Sequence, residues 1–161
     1  MSKFDEEKWD KRFLAMAQFV STWSKDPSTK VGAVITDGNK KVISLGYNGL
    51  PQWVEDNPDI LNNREEKYKY IIHAEVNAIL QANKGEYFAG TIYTYPFLTC
   101  PQCAAMIIQA GIMRVVSYKC VDERWISRIE DSKKLLKMAQ IEFIEYPALN
   151  MLLDINKYLS L

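Results

Sequence analysis

The chain has 161 residues, of which 48% are hydrophobic, 12% aromatic and 25% charged, and this composition excludes a disordered chain or a miniprotein that depends on disulfides. Twenty basic side chains balance twenty acidic ones, so no global charge attracts long nucleic acid or an anionic membrane, and a small ligand is the better expectation. Residues 1–8 carry acidic side chains instead of an apolar signal sequence, and no repeat or linker divides the chain. We therefore expect one cytoplasmic domain over residues 1–161.

The first half of the chain predicts a helix followed by a β-hairpin. Apolar side chains at steps of four and three form one stripe on an amphipathic helix that ends at the Asp-Pro pair 26–27. The stripe consists of Trp9, Phe13, Met16, Val20 and Trp23. Two β-prone runs, 31–36 and 41–46, flank an Asp-Gly-Asn turn, which joins strands antiparallel. The polar stretch 48–67 has no clear period, and a loop of this length in a compact domain is usually functional or mobile.

In the second half, helical and strand patterns alternate. Helices are expected near 73–83, 101–110, 123–138 and 148–159, and strands at 91–95, 114–118 and 142–146. Strands that are separated by helices need right-handed crossovers and therefore pair in parallel. The sequence thus predicts a three-layer α/β/α domain with a mixed five-stranded sheet.

Three side chains form a candidate metal-ligand set. His73 is the single histidine of the chain, and taken alone such a residue is more often a satisfied core residue than a ligand. Cys100 and Cys103 follow a predicted strand and open the next helix, where unpaired backbone N–H groups favour thiolates. A C-x-x-C pair by itself fits a reversible disulfide as well as zinc. With His73, however, it makes three protein ligands, which leave zinc one position for water, as in catalytic sites.

Glu75 is the candidate acid and base beside this metal. It lies two residues after His73, and such neighbours point to different sides in the middle of a helix, so the two can converge only at a helix end. There Glu75 could take a proton from the metal's water without binding the metal. The alternative is that Glu75 merely complements the dipole at the start of its own helix.

His73-Ala74-Glu75, followed by Cys100-x-x-Cys103, resembles the signature of the zinc-dependent cytidine deaminase superfamily. Thr99 replaces the usual proline before the first cysteine, which affects the backbone turn but removes no metal ligand. Within the superfamily the chain resembles the deoxycytidylate (dCMP) deaminase family from the first helix to about Tyr118. The matching segments are 24–27 (SKDP), 31–35 (VGAVI), 46–51 (GYNGLP), 67–70 (KYKY) and 107–112 (IIQAGI).

The resemblance implies a cytidine-deaminase-like fold and hydrolytic deamination of dCMP to dUMP and ammonia, a step toward thymidylate. In that reading Glu75 moves protons between water, N3 of the cytosine ring and the leaving amine. The backbone of Ala74 would lie near the exocyclic amine, Asn48 would position the nucleoside, and Tyr118 is a further expected substrate contact. From residue type alone, Asn48 would be read as an ordinary turn residue before glycine.

Ser24 and Lys25 are the expected contacts of the 5′-phosphate, since a hydroxyl and an ammonium can bind a charged phosphate. The alternative for Lys25 is a solvated surface lysine. The resemblance further implies a hexamer that dCTP activates and dTTP inhibits, with a divalent cation such as Mg²⁺ beside the nucleotide effector. The effector site would lie at Asn48 and Gly49, where glycine allows close backbone approach.

Three other functions fit part of the sequence. A thiol-disulfide protein would use Cys100 and Cys103 but has no use for His73 or Glu75. A deaminase acting on free nucleosides, on tRNA or on another polynucleotide would share the metal site, although the zero net charge argues against long nucleic acid. A zinc-stabilised interaction module would need a fourth protein ligand, for which Cys120 is the candidate.

Overall fold

The computed structural model describes residues 3–83 and 85–148, and the helix predicted over 148–159 lies outside them except for its first position. The strands are β1 (Gly32–Thr36), β2 (Val42–Tyr47), β3 (Thr91–Tyr95), β4 (Arg114–Tyr118) and β5 (Glu142–Tyr146). The helices are α1 (Lys3–Ser21), α2 (Pro58–Asn62), α3 (Arg64–Tyr70), α4 (Ala74–Gln81), α5 (Pro101–Ala110) and α6 (Glu123–Met138).

The five strands form one mixed sheet in the order β2-β1-β3-β4-β5. Strand β1 pairs antiparallel with both β2 and β3, whereas β3 with β4 and β4 with β5 are parallel pairs. The predicted hairpin and the parallel second half are therefore confirmed. Every residue of β1 is buried, as expected for an interior strand that has helices on both faces.

Two hydrophobic clusters fill the two faces of the sheet. On one face α1 packs Phe13, Leu14 and Ala17 against side chains of β1, β3 and β4. On the other face α4, α5 and α6 cover the sheet; this cluster includes Ala33, Ile35, Ala78, Ile92, Ile107, Val115, Ile129 and Leu136. Because each face has its own helical layer, the predicted three-layer α/β/α domain is confirmed.

The apolar stripe predicted for α1 is wrong at two positions. Met16 is 38% exposed and Trp23 is 47% exposed. The buried side consists of Phe13, Leu14, Ala17 and Val20 together with the polar Asp10 and Ser21. Trp23 is exposed because the helix ends at Ser21, two residues before it.

Neither α1 nor any other helix of the described chain has the length and apolarity that are needed to cross a membrane.

A buried ion pair ties α1 to the sheet. The Asp10 carboxylate is fully buried and accepts two hydrogen bonds from the Arg114 guanidinium, at 2.8 and 2.7 Å. The hydroxyl groups of Tyr93 and Tyr146 donate to the same carboxylate, at 3.1 and 2.8 Å. The four residues lie on α1, β3, β4 and β5, so this fully partnered charge links one helix to three strands.

The stretch 48–67, expected as a loop, contains α2 and most of α3. The side chain of Asn57 caps α2 by accepting from the backbone N–H of Asp59, and Asn63 caps α3 in the same way. Helices of five and seven residues are too short for an apolar period to show in the sequence. The local signal for both helices is the asparagine at each N-cap.

Two glycines let a helix approach the sheet closely. A Cβ on Gly32 would lie 2.0 Å from the Ala17 carbonyl oxygen in α1, and one on Gly46 would lie 2.2 Å from the Ala74 carbonyl oxygen in α4. No side chain fits at such distances. Gly46 therefore fixes how closely the first turn of α4 packs on β2.

The strand directions bring several loops to one edge of the sheet. The start of β1 pairs with the end of β2 and the end of β3, through Gly32 opposite Tyr47 and Tyr95. The end of β4 lies at the same edge, since β4 runs parallel to β3. The segments 22–31, 48–73, 96–100 and 119–122 consequently meet there. They carry six of the predicted site residues, and the other four lie at the starts of α4 and α5 and at the end of β4.

We expect Gly46→Ala to lower the free energy of unfolding by about 3 kcal/mol or more, because the new methyl group would overlap backbone atoms of α4. Urea denaturation measures this loss. Gly38→Ala is the matched control, because a Cβ at Gly38 meets no atom within 4 Å. Equal stability of the two variants would contradict the close approach of α4 to β2.

Candidate active site

The starts of α4 and α5 present the three predicted metal ligands. His73 is the N-cap residue of α4, with φ −73° and ψ 153°, and Cys100 is the N-cap residue of α5, with φ −76° and ψ 165°. Neither side chain makes the capping hydrogen bond that is usual at this position. Pro101 is the first residue of α5, a position at which its fixed φ favours helix formation.

The three ligand atoms lie close together. His73 Nδ1 is 3.4 Å from Cys100 Sγ and 3.3 Å from Cys103 Sγ, and all three atoms lie within 4.8 Å of one another. In a tetrahedral zinc site the usual Zn–S and Zn–N bond lengths give a sulfur-to-nitrogen separation of about 3.6 Å. One imidazole and two thiols are also donors that zinc prefers. The donor set therefore fits zinc in both chemistry and spacing.

Cys120, the candidate fourth ligand, lies elsewhere. Its thiol is 3.4 Å from the carbonyl oxygen of Asp122. Within residues 3–83 and 85–148, the group that could hold a metal consists of His73, Cys100 and Cys103. Three protein ligands are typical of catalytic zinc, whereas structural zinc sites are closed by four.

The pKa values of the two thiols shift in opposite directions, because one thiol donates a hydrogen bond that stabilises a thiolate on the other. A hydrogen bond with Cys103, and then one with His73, lower the pKa of Cys100 to about 4. The hydrogen bond with Cys100 and burial raise the pKa of Cys103. The hydrogen bond with Cys100 also raises the pKa of His73. A thiolate at Cys100 is further favoured by the N-terminus of α5.

Glu75 lies in the first turn of α4 and is 4% exposed. It lines the same cavity as His73 and Cys100, so the helix start brings the carboxyl and the ligands together. Burial raises the pKa of Glu75, while the nearby His73 opposes this rise and Cys100 adds to it. A raised pKa brings a carboxyl closer to neutral pH, where it can both accept and return a proton.

This cavity, here called the inner cavity, has a volume of about 80 Å³. Its polar lining consists of Asp26, Ser28, Thr29, Asn48, Lys67, Tyr68, His73, Glu75 and Cys100, and its apolar lining of Val31, Ile71, Phe97, Leu98 and Trp125. Apolar walls with a few convergent polar groups are typical of a site for a small, flat ligand.

A second, outer cavity of about 490 Å³ adjoins the inner one. The two share Ser28, Thr29 and Phe97. Tyr118 lines the outer cavity, as do three cationic side chains, Lys30, Lys119 and Arg124. Asp122 also lines this cavity and forms an ion pair with Arg124. A ligand could therefore extend from the metal ligands past the shared wall to a region where three cationic side chains and one acidic one meet.

Three predicted substrate residues are buried. Asn48 lines the inner cavity and is 5% exposed. Its side chain accepts from the backbone N–H of Val31 at 2.8 Å and donates to the carbonyl of Thr29 at 3.0 Å. Tyr118 lines the outer cavity. Ala74 is fully buried and belongs to neither lining.

The predicted phosphate residues lie beside the cavities and do not line them. Ser24 is 1% exposed, and its hydroxyl donates to the carbonyl of Asn48 at 2.8 Å. Lys25 is exposed and forms an ion pair with Asp56. Gly49, predicted for the effector, exchanges two backbone hydrogen bonds with Ile72, immediately before His73.

Asp26 and Lys67 line the inner cavity, and their polar role was not predicted. The sequence indicates Asp26 only as the end of the first helix and as part of a matching segment, and Lys67 only as part of such a segment. A lysine in a charged, polar stretch gives no local sign that its side chain is buried. Its burial follows from the way α3 packs, which the sequence did not reveal.

Thr99, which stands where the superfamily signature has proline, leaves the ligand geometry intact. It directly precedes Cys100, and the three ligand atoms still meet. Thr99 is 1% exposed, and its hydroxyl has no hydrogen-bond partner in the described part of the chain. The missing proline therefore does not prevent the three ligands from converging.

The fold and this site together define an enzyme of the metal-binding deaminase class. The family model for the cytidine and deoxycytidylate deaminase zinc-binding region matches residues 7–119. The chain therefore belongs to the cytidine and deoxycytidylate deaminase family, which confirms the resemblance seen in its motifs.

Individual relatives agree with this family. The chain is 43% identical over 143 residues to an uncharacterised deaminase of Aliivibrio fischeri, covering 87% of this chain and 95% of the relative. It is 35% identical over 153 residues to the deoxycytidylate deaminase of Homo sapiens, and the match covers 88% of this chain and 82% of the relative. A crystal structure of the dCMP deaminase from cyanophage S-TIM5 has the same fold, with a TM-score of 0.68 at 21% identity over 91% of this chain and all of that one.

We expect the purified protein to bind one zinc ion per chain and to lose it in His73→Ala, because one of the three clustered ligands is then missing. Metal analysis by mass spectrometry gives the stoichiometry. Cys120→Ser should keep its zinc, since Cys120 lies outside the group. Zinc that persists in His73→Ala, or a Cys100–Cys103 disulfide in place of metal, would contradict this site.

Proposed function

We propose that the protein is a zinc-dependent hydrolase that converts dCMP and water to dUMP and ammonia, a step toward thymidylate. The observation that carries the proposal is the cluster of His73, Cys100 and Cys103, of which His73 and Cys100 line one cavity with the buried carboxyl of Glu75. Relatives that are about one-third identical are named deoxycytidylate deaminases. A crystal structure of the related cyanophage protein contains dCMP and dUMP.

His73, Cys100 and Cys103 would hold the metal, and zinc bound there would supply the Lewis acidity that activates water for attack on the ring. Two thiolates and a neutral imidazole balance the charge of Zn²⁺. The N-termini of α4 and α5 add positive potential at the ligands.

Both cysteines have to remain reduced to act as ligands, which supports a cytoplasmic location.

Glu75 is the proposed proton carrier. Its carboxylate would take a proton from the attacking water and give it to N3 of the cytosine ring. It would then take the second proton from the hydroxyl group added to C4 and give it to the amine, so that the C4–N bond breaks, ammonia leaves and the carbonyl of dUMP forms. Burial, which raises the pKa of Glu75, supports this role because the group can hold a proton between the two steps. The backbone of Ala74 is proposed to contact the exocyclic amine.

We expect Glu75→Gln to lower kcat about 1,000-fold, because an amide can neither accept nor return the proton. Zinc content should stay at the wild-type level, since Glu75 is not one of the ligands. Turnover of dCMP is followed by the change in ultraviolet absorbance. Glu66→Gln, the same exchange at a partly exposed position of α3, is the control. Full turnover by Glu75→Gln would instead favour a zinc-stabilised interaction module.

The two adjoining cavities support a nucleotide as substrate. The cytosine ring would occupy the inner cavity, beside Glu75 and Asn48. The sugar would lie along the shared wall, and the 5′-phosphate would reach the outer cavity with Tyr118 and its cationic neighbours. Ser24 and Lys25 remain proposed phosphate contacts, because they belong to the segment that forms this wall.

We also propose regulation by dCTP as activator and dTTP as inhibitor, with Mg²⁺ at the effector, in a hexamer. The space beside Gly49 is open, which supports an effector at the turn Asn48-Gly49. The ion pair between Lys25 and Asp56 connects the exposed stretch after this turn to the wall of the cavities.

The rings of Phe19, Trp23 and Tyr47 are exposed, and Trp23 contacts the other two edge to face. This exposed aromatic cluster supports an interface with another copy.

We expect kcat/KM for dCMP to exceed that for deoxycytidine, and Lys25→Ala to reduce this ratio about tenfold through the loss of one charge at the phosphate. Initial rates with both substrates, with and without dCTP or dTTP, measure the ratio and the regulation. Lys134→Ala removes a similarly exposed, aspartate-paired lysine on α6 and should change nothing. An unchanged ratio in Lys25→Ala would exclude its phosphate contact, and hyperbolic rates indifferent to both triphosphates would exclude the regulation.

A further inference from the structure

Lys67 is a buried cation in the wall of the inner cavity. Its side chain is 4% exposed, and its Nζ lies 2.9 Å from Asp26 Oδ1 and 3.2 Å from Ser28 Oγ. The partner carboxylate of Asp26 is 5% exposed. Burying two charges is costly even when they pair, so such a pair is weak evidence of a purely stabilising role. The proton transfers proposed above do not involve Lys67.

Asp26 organises the segment 24–31. Its Oδ1 accepts from the backbone N–H groups of Ser28 and Thr29, at 2.8 and 3.2 Å. Its Oδ2 accepts from the side-chain amide of Asn48 at 3.3 Å. Lys67, which reaches across from α3, thus holds a segment whose other contacts are local, apart from those with Asn48 and the exposed ion pair between Lys25 and Asp56.

Two residues of this segment, together with Phe97, form the wall that the two cavities share. Ser28 and Thr29 line both of them, whereas Asp26 and Lys67 line the inner one together with His73 and Glu75. The position of the wall therefore decides how a ligand that reaches the metal ligands continues into the outer cavity. The charge of Lys67 also neutralises Asp26, the one carboxylate of segment 24–31.

We propose that Lys67 is a positioning residue that determines the preference for a 5′-phosphorylated substrate. Through its ion pair with Asp26 and its hydrogen bond to Ser28, it holds the shared wall in place and neutralises it. This inference rests on the proposed function, because it concerns which nucleotide the deaminase site accepts. Lys67 is not proposed to touch the reacting atoms.

The test compares Lys67→Met with Lys69→Met. Both lysines lie on α3, but the Lys69 side chain is 57% exposed and pairs with Glu66 at the surface, so the same chemical change is made outside the wall. In Lys67→Met we expect KM for dCMP to rise about tenfold and kcat to stay within about threefold. KM for deoxycytidine should change by less than about threefold, because that substrate carries no phosphate.

The double variant Asp26→Asn/Lys67→Met separates the effect of Lys67 on the position of the wall from its effect on the stability of the protein. Removal of both charges should restore part of the melting temperature that Lys67→Met loses, since no unpaired carboxylate remains buried. KM for dCMP should stay raised, because the tie from α3 is still missing. If Lys67→Met does not fold, the double variant is compared with Lys69→Met in the same way.

Two results would overturn the role of Lys67. One is a KM for dCMP in the Lys67 variants equal to that in Lys69→Met. The other is an equal loss of kcat/KM for dCMP and deoxycytidine, which a merely structural residue would give. In both cases wild-type turnover of dCMP would leave the proposed function standing. A zinc-loaded wild type that deaminates neither substrate would overturn the proposed function and this inference together.

Discussion

The close packing of α4 on β2 is the constraint on which the site depends. A helix can lie this near a strand only where the strand has no side chain, and Gly46 provides that position opposite the carbonyl of Ala74. The first turn of α4 is thereby fixed relative to the sheet, and with it His73 and Glu75. Because the same edge of the sheet holds the start of α5, Cys100 and Cys103 meet the histidine within hydrogen-bond distance.

Two buried ion pairs hold the opposite edges of the sheet. Asp10 and Arg114 connect α1 to the edge where β4 begins, whereas Asp26 and Lys67 lie at the edge where β4 ends. In the first pair the Asp10 carboxylate also accepts hydrogen bonds from two tyrosine hydroxyls. Neither residue of this pair lines a cavity. The second pair lies in the wall of the inner cavity. The first ion pair thus attaches a helix at one edge of the sheet, and the second one shapes the site at the other edge.

Much of the fold could be predicted because its signals are local. The strands from Thr91–Tyr95 onward and the helices between them follow from short apolar runs and helical periods, and their order implies the parallel half of the sheet. Prediction failed for α2 and α3, which are too short to show a period. It also failed for Met16 and Trp23, because an apolar stripe does not reveal where a helix ends or which side faces the sheet.

For the site, the sequence by itself determined the chemistry. One histidine, a C-x-x-C pair at a helix start and a glutamate two residues after the histidine predict the metal ligands and the proposed proton carrier, because residue type and local spacing indicate donor atoms and helix ends. Only the tertiary structure decided that Asp26 and Lys67 are buried together, that Lys25 faces Asp56, and that two cavities share one wall. These facts depend on contacts between residues up to 41 positions apart, and burial of a charge at such a contact has no local signature.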